Sequence, residues 1–418
     1  MEFNLTPEEK QELQEDSNSK NNSRNHNENE INETYGEFYD RARRCFIQTY
    51  VQFTNTYDDF LDPKKRKKLS KITKKSKDKL FEEGLLRFQN EIPNIQHAID
   101  KATDIEEWSS VIDICDSLKE FYFVRGYWED LQKTLKIGLK AAQKDKNINA
   151  QAISHFNLAR VFRLTGNIIE GIESALKSLE IFSETQDKWW QAHSCFILGF
   201  LYRNNNQWTN SIQYLGNALK LFESIPDSII YQIEVLNILG LVYKEKENSD
   251  LDEAKNLLHK SLELQKEYEI EDSFLLSKTL SILGKIHTER KEFKEAINLC
   301  KKSLKVKEKV KDRQGLGACH NDIGKIYRLM GRFDEAYFHY NESLKYKESM
   351  STNKSSNSKT SDDKHGKGLT HMELGLLYQD KREHRKSIEN WNNALDTLNH
   401  GSREYQLVKQ FLSESEKE

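Results

Sequence analysis

The sequence predicts an all-α fold, a right-handed α-solenoid of about seven stacked helix-turn-helix pairs behind a helical N-terminal arm. Three observations predict it. A small residue recurs at Ala159, Gly199, Gly240, Gly284, Gly324 and Gly375, at spacings of 40, 41, 44, 40 and 51 residues. Each is followed three residues later by a ring: Phe162, Tyr202, Tyr243, His287, Tyr327, Tyr378. Twelve residues on stands a second small residue (Gly171, Ser211, Ala296, Ala336, Ser387, with Ala254 at fourteen), and seven further a third: Ser178, Ala218, Ser261, Ser303, Ser343, Ala394. A fixed period with small residues at fixed offsets marks stacked helices that touch closely, with rings and leucines filling the space between. Composition agrees. There are only 4 prolines in 418 residues, and the apolar fraction of 36% suits a thin stack with much exposed surface.

Residues 1–35 carry eight Asn, nine acidic and three basic residues and few apolar ones, the composition of a disordered tail. From Phe38 the spacing of Phe38, Tyr39, Ala42, Phe46, Tyr50, Phe53 and Tyr57 predicts one aromatic helical stripe, opening an arm over 36–102. Within it, ten of the sixteen residues 64–79 are basic. A solvated connector, a site for an anionic partner (RNA, DNA or acidic protein) and a membrane surface are the three readings of that run. Leu85, Leu86, Phe88, Ile92, Ile95, Ala98 and Ile99 continue the amphipathic pattern, and Pro93 predicts a break between two helices. The solenoid is expected over 103–400. Its first pair is degenerate, with Lys119 in the small-residue position, 40 residues before Ala159. The Ser-, Lys- and Asn-rich stretch 349–367 reads as an inserted loop, which accounts for the long last spacing. Tyr405, Val408 and Leu412 give 401–418 the single apolar stripe of a capping helix.

This skeleton resembles the tetratricopeptide repeat, with a period nearer 40 residues than that family's 34 or so. A second resemblance covers residues 38–142. Glu91-Ile-Pro-Asn-Ile-Gln-His-Ala-Ile99, Trp108 and Phe121-Tyr-Phe-Val-Arg-Gly-Tyr-Trp-Glu-Asp-Leu131 look like the junction of STAND signalling ATPases, where a helical arm leads into a repeat sensor. The motor is missing, since no GxxxxGK[ST] phosphate loop occurs. That resemblance implies a stand-alone sensor or regulatory subunit for a separate ATPase or effector.

No catalytic pattern is present: no HExxH, no GxSxG and no metal-spaced Cys/His cluster. A non-enzymatic protein with no cofactor is therefore expected. Cys45, Cys115, Cys195, Cys300 and Cys319 form no CxxC and read as buried reduced thiols, which favours a cytoplasmic location. His155, His320 and His371 each precede the small residue by four and read as structural. No apolar run is long enough to span a membrane.

Repeat solenoids bind along their concave face. The tetratricopeptide resemblance implies that positions one and four after the small residue line it. Those twelve positions include Arg160, Arg163, Arg203, Lys244, Lys285, Lys325 and Arg328 and no acid, in a chain of net charge −3. With Phe156, Phe196, Phe200 and Asn321 nearby, they read as a groove for an extended acidic peptide or protein segment. The alternatives are ordinary solvated cations on helix surfaces, or nucleic-acid association through the basic run.

Overall fold

The computed structural model describes residues 35–270, 273–348, 364–398, 400 and 402–415. The expected tail 1–35 and loop 349–367 lie outside these residues, apart from Tyr35 and Lys364–Lys367, which are helical. Two compact units are distinguished, residues 1–46 and 47–418. What is described of the first is the start of helix α1 (Tyr35–Leu61), where Tyr35, Phe38 and Tyr39 are exposed. Every element among the described residues of the second is also helical, and none is long and apolar enough to cross a membrane.

After α1 come α2 (Pro63–Thr73) and α3 (Lys77–Asp104). Residues 64–73 of the basic run thus lie in a capped helix, and Lys77 and Lys79 in the start of α3. Asp62 accepts hydrogen bonds from the backbone N–H groups of Lys64 and Lys65, and Pro63 occupies the first turn, where its missing N–H costs nothing. The expected break at Pro93 is absent, because α3 runs straight through it. Its apolar face (Leu85, Phe88, Ile95, Ala98, Ile99, Ala102) stays in register on both sides and is buried throughout, which offsets the roughly 3 kcal/mol an internal proline costs. Phe88 joins α1 to the first repeat, edge-on to Phe53 at 6.3 Å and 5.3 Å from Phe121.

Seven helix pairs follow: α4 (Trp108–Arg125) with α5 (Trp128–Lys144), α6 (Ile148–Thr165) with α7 (Ile168–Glu184), α8 (Lys188–Asn204) with α9 (Trp208–Glu223), α10 (Ile229–Glu245) with α11 (Leu251–Glu267), α12 (Phe274–Glu289) with α13 (Phe293–Lys309), α14 (Arg313–Leu329) with α15 (Phe333–Glu348), and α16 (Lys364–Asp380) with α17 (His384–Leu395). The fold is the α-solenoid that the periodicity predicts. Helix α18 (Arg403–Ser415) packs its Val408 and Phe411 against Trp391 of α17.

Each class of small residue has a distinct physical role. Where the first helix carries Gly, a side chain of the second is pressed against it, large at four of the five positions and Cys300 at Gly284. A Cβ on Gly199, Gly240, Gly324 or Gly375 would meet Leu215, Leu258, Tyr340 or Trp391 within 2.9 Å. Where the first helix instead has Ala159, the second has Ala175, and both are fully buried. Volume is traded across the contact, as close packing demands. At the second small position, Ser211 and Ser387 donate hydrogen bonds to the carbonyls of Gly199 and Gly375, at 2.7 and 2.8 Å. At the third, buried Ser178, Ser261 and Ser343 reach the next repeat, at Ser194, Thr279 and Thr370. Cys115, Cys195, Cys300 and Cys319 are buried free thiols, whereas Cys45 is exposed, so the expectation fails for that one residue.

Candidate functional site

Successive first helices approach one another along the stack (α6 with α8, then α8 with α10, α10 with α12, α12 with α14, α14 with α16) and make up its inner side. The cations singled out in the sequence lie on these helices. Most are neutralised from the next repeat. Arg203 makes a two-pronged contact with Glu245 (2.8 and 2.9 Å), Lys244 pairs with Glu289 at 2.5 Å, and Lys285 lies 3.4 Å from Asp322. Lys325 and Arg328 converge on buried Glu373 at 3.5 and 3.4 Å, and Arg328 also reaches Asp380 at 2.7 Å. The Asp322 charge raises the Lys285 pKa; burial works to lower that of Arg328, but Glu373, Tyr340 and Asp380 outweigh it.

Two rules describe these pairs. A cation one residue after the small residue faces an acid two residues before the next small residue: Lys285 with Asp322, Lys325 with Glu373. A cation four residues after faces an acid five residues after the next: Arg203 with Glu245, Lys244 with Glu289, Arg328 with Asp380. Where no cation stands, the partner position is apolar: Phe200 with Ile238, Leu241 with Ile282, Thr288 with Leu329. One junction breaks both rules. Arg160 and Arg163 on α6 would need acids at 197 and 204, and those positions are Ile197 and Asn204.

Instead these two arginines lie on rings. The Arg160 guanidinium stands 4.7 Å over Phe123 and donates to Asn157 Oδ1 at 3.2 Å, and that of Arg163 stands 5.1 Å over Phe200. Phe196 meets Phe200 edge-on at 5.1 Å. Lys278 of α12 approaches the same Phe200 ring at 6.0 Å. Burial lowers the pKa of all three cations; Glu120 opposes this for Arg160, Arg160 adds to it for Arg163, and Glu234 opposes it for Lys278, where Arg203 and Arg163 add to it. Arg163 Nε is buried with no hydrogen-bond partner, and so is Asn321 Oδ1 in the sixth repeat. A buried polar atom without a partner costs about 1–3 kcal/mol. The result is a half-buried cluster of Arg160, Arg163 and Lys278 about the Phe123 and Phe200 rings, with Glu234 beside Lys278.

Phe156 is 7% exposed, packs edge-on against Trp190 at 5.2 Å, and has the Arg160 guanidinium 6.0 Å over its ring. Lys278, Glu234 and Phe123 were missed, although a signal existed. Lys278 and Glu234 each stand six residues before their glycine, a position that shares a helix face with positions two before and one after it. Among the described residues no group of three or more His, Cys, Asp or Glu could hold a metal ion. His320 and His371 bridge the two helices of their own pairs, to His339 at 3.0 Å and to Asn390 at 3.2 Å.

Comparison with known proteins agrees with this architecture. Residues 231–309 and 275–349 match the tetratricopeptide repeat family model. Aspartyl phosphate phosphatase F from Bacillus subtilis is similar in structure, with a TM-score of 0.54 at 12% identity over 86% of this chain and 94% of that one. A Rap protein complexed with competence and sporulation factor gives 0.53 at 10% identity, over 90% of this chain and 99% of that one. The apo form of the quorum sensor NprR from B. thuringiensis gives 0.50 at 16% identity, over 86% and 100%. At such identities the likeness shows the fold alone. No curated protein sequence matches the chain.

Proposed function

We propose that this tetratricopeptide-repeat chain is a non-enzymatic scaffold that holds an acidic peptide or protein segment on its inner face. The observation that carries the reading is the broken pairing at the second repeat. Elsewhere the ladder of cations is neutralised from within the chain, so it offers an incoming acid little. At Arg160 and Arg163 the next repeat supplies no carboxylate, and Glu120 and Glu234 act only on Arg160 and Lys278, against the effect of burial. A carboxylate from outside would complete the pattern, meeting guanidinium groups that are already fixed on Phe123 and Phe200 and so lose little freedom on binding. The Rap protein of similar fold is found complexed with competence and sporulation factor, which supports a partner-holding role for this chain.

The test is binding of a fluorescein-labelled, Glu-rich peptide with a free C-terminal carboxylate. Arg163→Gln is expected to weaken it tenfold or more, since a hydrogen bond to a charged group contributes about 1.5–3 kcal/mol and about 1.4 kcal/mol is a factor of ten. Lys244→Gln, which removes a cation already paired with Glu289, should leave binding nearly unchanged. Equal losses in the two variants would mean that the ladder acts only as diffuse charge, and the proposal would fail.

A further inference from the structure

The lysine-rich run plays no part in the inner face, and its structure points to a separate surface. Helix α2 has two opposed faces. Arg66, Leu69 and Ser70, spaced three and four apart from Arg66 and each half-buried, form the one turned inward. The Arg66 guanidinium donates to the carbonyls of Phe60 (3.1 Å) and Leu61 (3.3 Å) and lies 4.7 Å over the Phe81 ring of α3. Ser70 donates to the Lys75 carbonyl at 2.7 Å. With this face pinned down, Lys64, Lys67, Lys68 and Lys71 share the opposite face, and all are exposed. Lys74, Lys77 and Lys79 extend the exposed run into the start of α3. Two of the acids nearby are taken by other lysines, Asp59 by Lys65 at 2.6 Å and Glu83 by Lys75 at 2.7 Å. Among the described residues, the seven lysines just named have no carboxylate partner.

Their placement opposes stability. Lys64 lies in the first turn of α2, which holds no acid, and Lys77 and Lys79 lie in the first turn of α3, where Asp78 is the one acid. Cations there add to the positive end of the helix dipole instead of offsetting it. Seven neighbouring cations that repel one another and two helix starts form a strong positive field in a chain of net charge −3.

We propose that this face of α2, continued by the start of α3, docks a phosphodiester chain, that is, a nucleic-acid backbone. Lys64 to Lys71 spans seven residues, about 10 Å along the helix, and each strand of a duplex presents a phosphate about every 3.4 Å of its axis. Lysines act there as point charges, which suits backbone contact without base reading. A lipid surface fits less well, because Leu69 is turned inward and Ile72 is the one exposed apolar side chain of α2, too little for an interfacial helix.

The experiment is fluorescence anisotropy of a short fluorescein-labelled DNA duplex with the full chain across a salt series. Four lysine–phosphate contacts predict a log–log slope of about −3.6, roughly a hundredfold loss between about 50 and about 200 mM salt. The quadruple variant Lys64→Glu/Lys67→Glu/Lys68→Glu/Lys71→Glu should lose binding with its circular dichroism unchanged. The matching Gln variant should lose it too, and it keeps the test decisive if charge reversal unfolds α2. The proposal is overturned if the native chain does not bind the duplex, if binding is insensitive to salt, or if the Gln variant binds equally well. Capture by phosphatidylserine vesicles with no capture of DNA would also overturn it, in favour of a membrane surface.

Discussion

Two glycines in one helix pair should respond to the same substitution with opposite signs. Gly199 lies in α8 with its missing Cβ aimed at Leu215, whose Cγ and Cδ2 would stand 2.4 and 2.6 Å away. Leu215 is fully buried, so it has no free space to retreat into. Gly216, one residue further along α9, has nothing within 4 Å of its own missing Cβ. Alanine in a helix is favoured over glycine by about 1 kcal/mol. Gly216→Ala should therefore stabilise the protein by about that much. Gly199→Ala gains the same propensity but overpacks the contact, at a cost of about 1–3 kcal/mol, for a net loss of up to about 2 kcal/mol. The two variants should then differ by about 2 kcal/mol. Urea unfolding followed by far-ultraviolet circular dichroism would compare their midpoints under identical conditions, which matters in a stack whose unfolding need not be two-state. Midpoints that both rise, or that coincide, would refute the claim that the recurrent glycines exist to let two helices touch.

Other consequences can be checked on the same protein. Burial raises the Asp58 pKa to about 6, against the opposing charges of Lys119 and Lys65 and with a small further push from Asp116 and Glu120. A carboxyl whose folded-state pKa is raised loses stability as pH climbs from the ordinary value near 4 towards 6. Asp58→Asn should thus stabilise the fold at neutral pH, and the advantage should vanish below about pH 4; an advantage constant across pH would show that the charge is not its source. Pro93→Ala should raise the unfolding midpoint, by up to about 3 kcal/mol, because α3 already runs through that position. A lower midpoint would mean that the proline supports a bend the helix needs.

The helix pairs were legible in the sequence because their signal is steric and recurs at fixed offsets. Gly324 and Ala336 need no knowledge of their neighbours to be recognised as contact points. The continuity of α3 was not legible, since a proline's local preference says nothing of how much apolar surface the residues on either side will bury. The ladder of cations was legible as a row, but its neutralisation was not, because reading only two rows hid the acids at 245, 289, 322, 373 and 380. Once first helices are set side by side, the same numbering places those acids against Arg203, Lys244, Lys285, Lys325 and Arg328. The exception at Ile197 and Asn204 then stands out from sequence alone.

The central claim is that the second repeat lacks the carboxylates its arginines require. Asn204→Glu supplies one, at the position where Glu245 meets Arg203 one repeat on, and Asn204 is exposed enough to accept the change. Titrating the Glu-rich peptide into the native chain and into this variant tests the claim most directly. The account predicts that the variant folds at least as stably, with up to about 1 kcal/mol from the new pair, and loses most of its affinity for the acidic peptide. Unchanged affinity in a variant that folds normally would contradict it, and would place any acidic partner somewhere other than Arg160, Arg163 and Lys278.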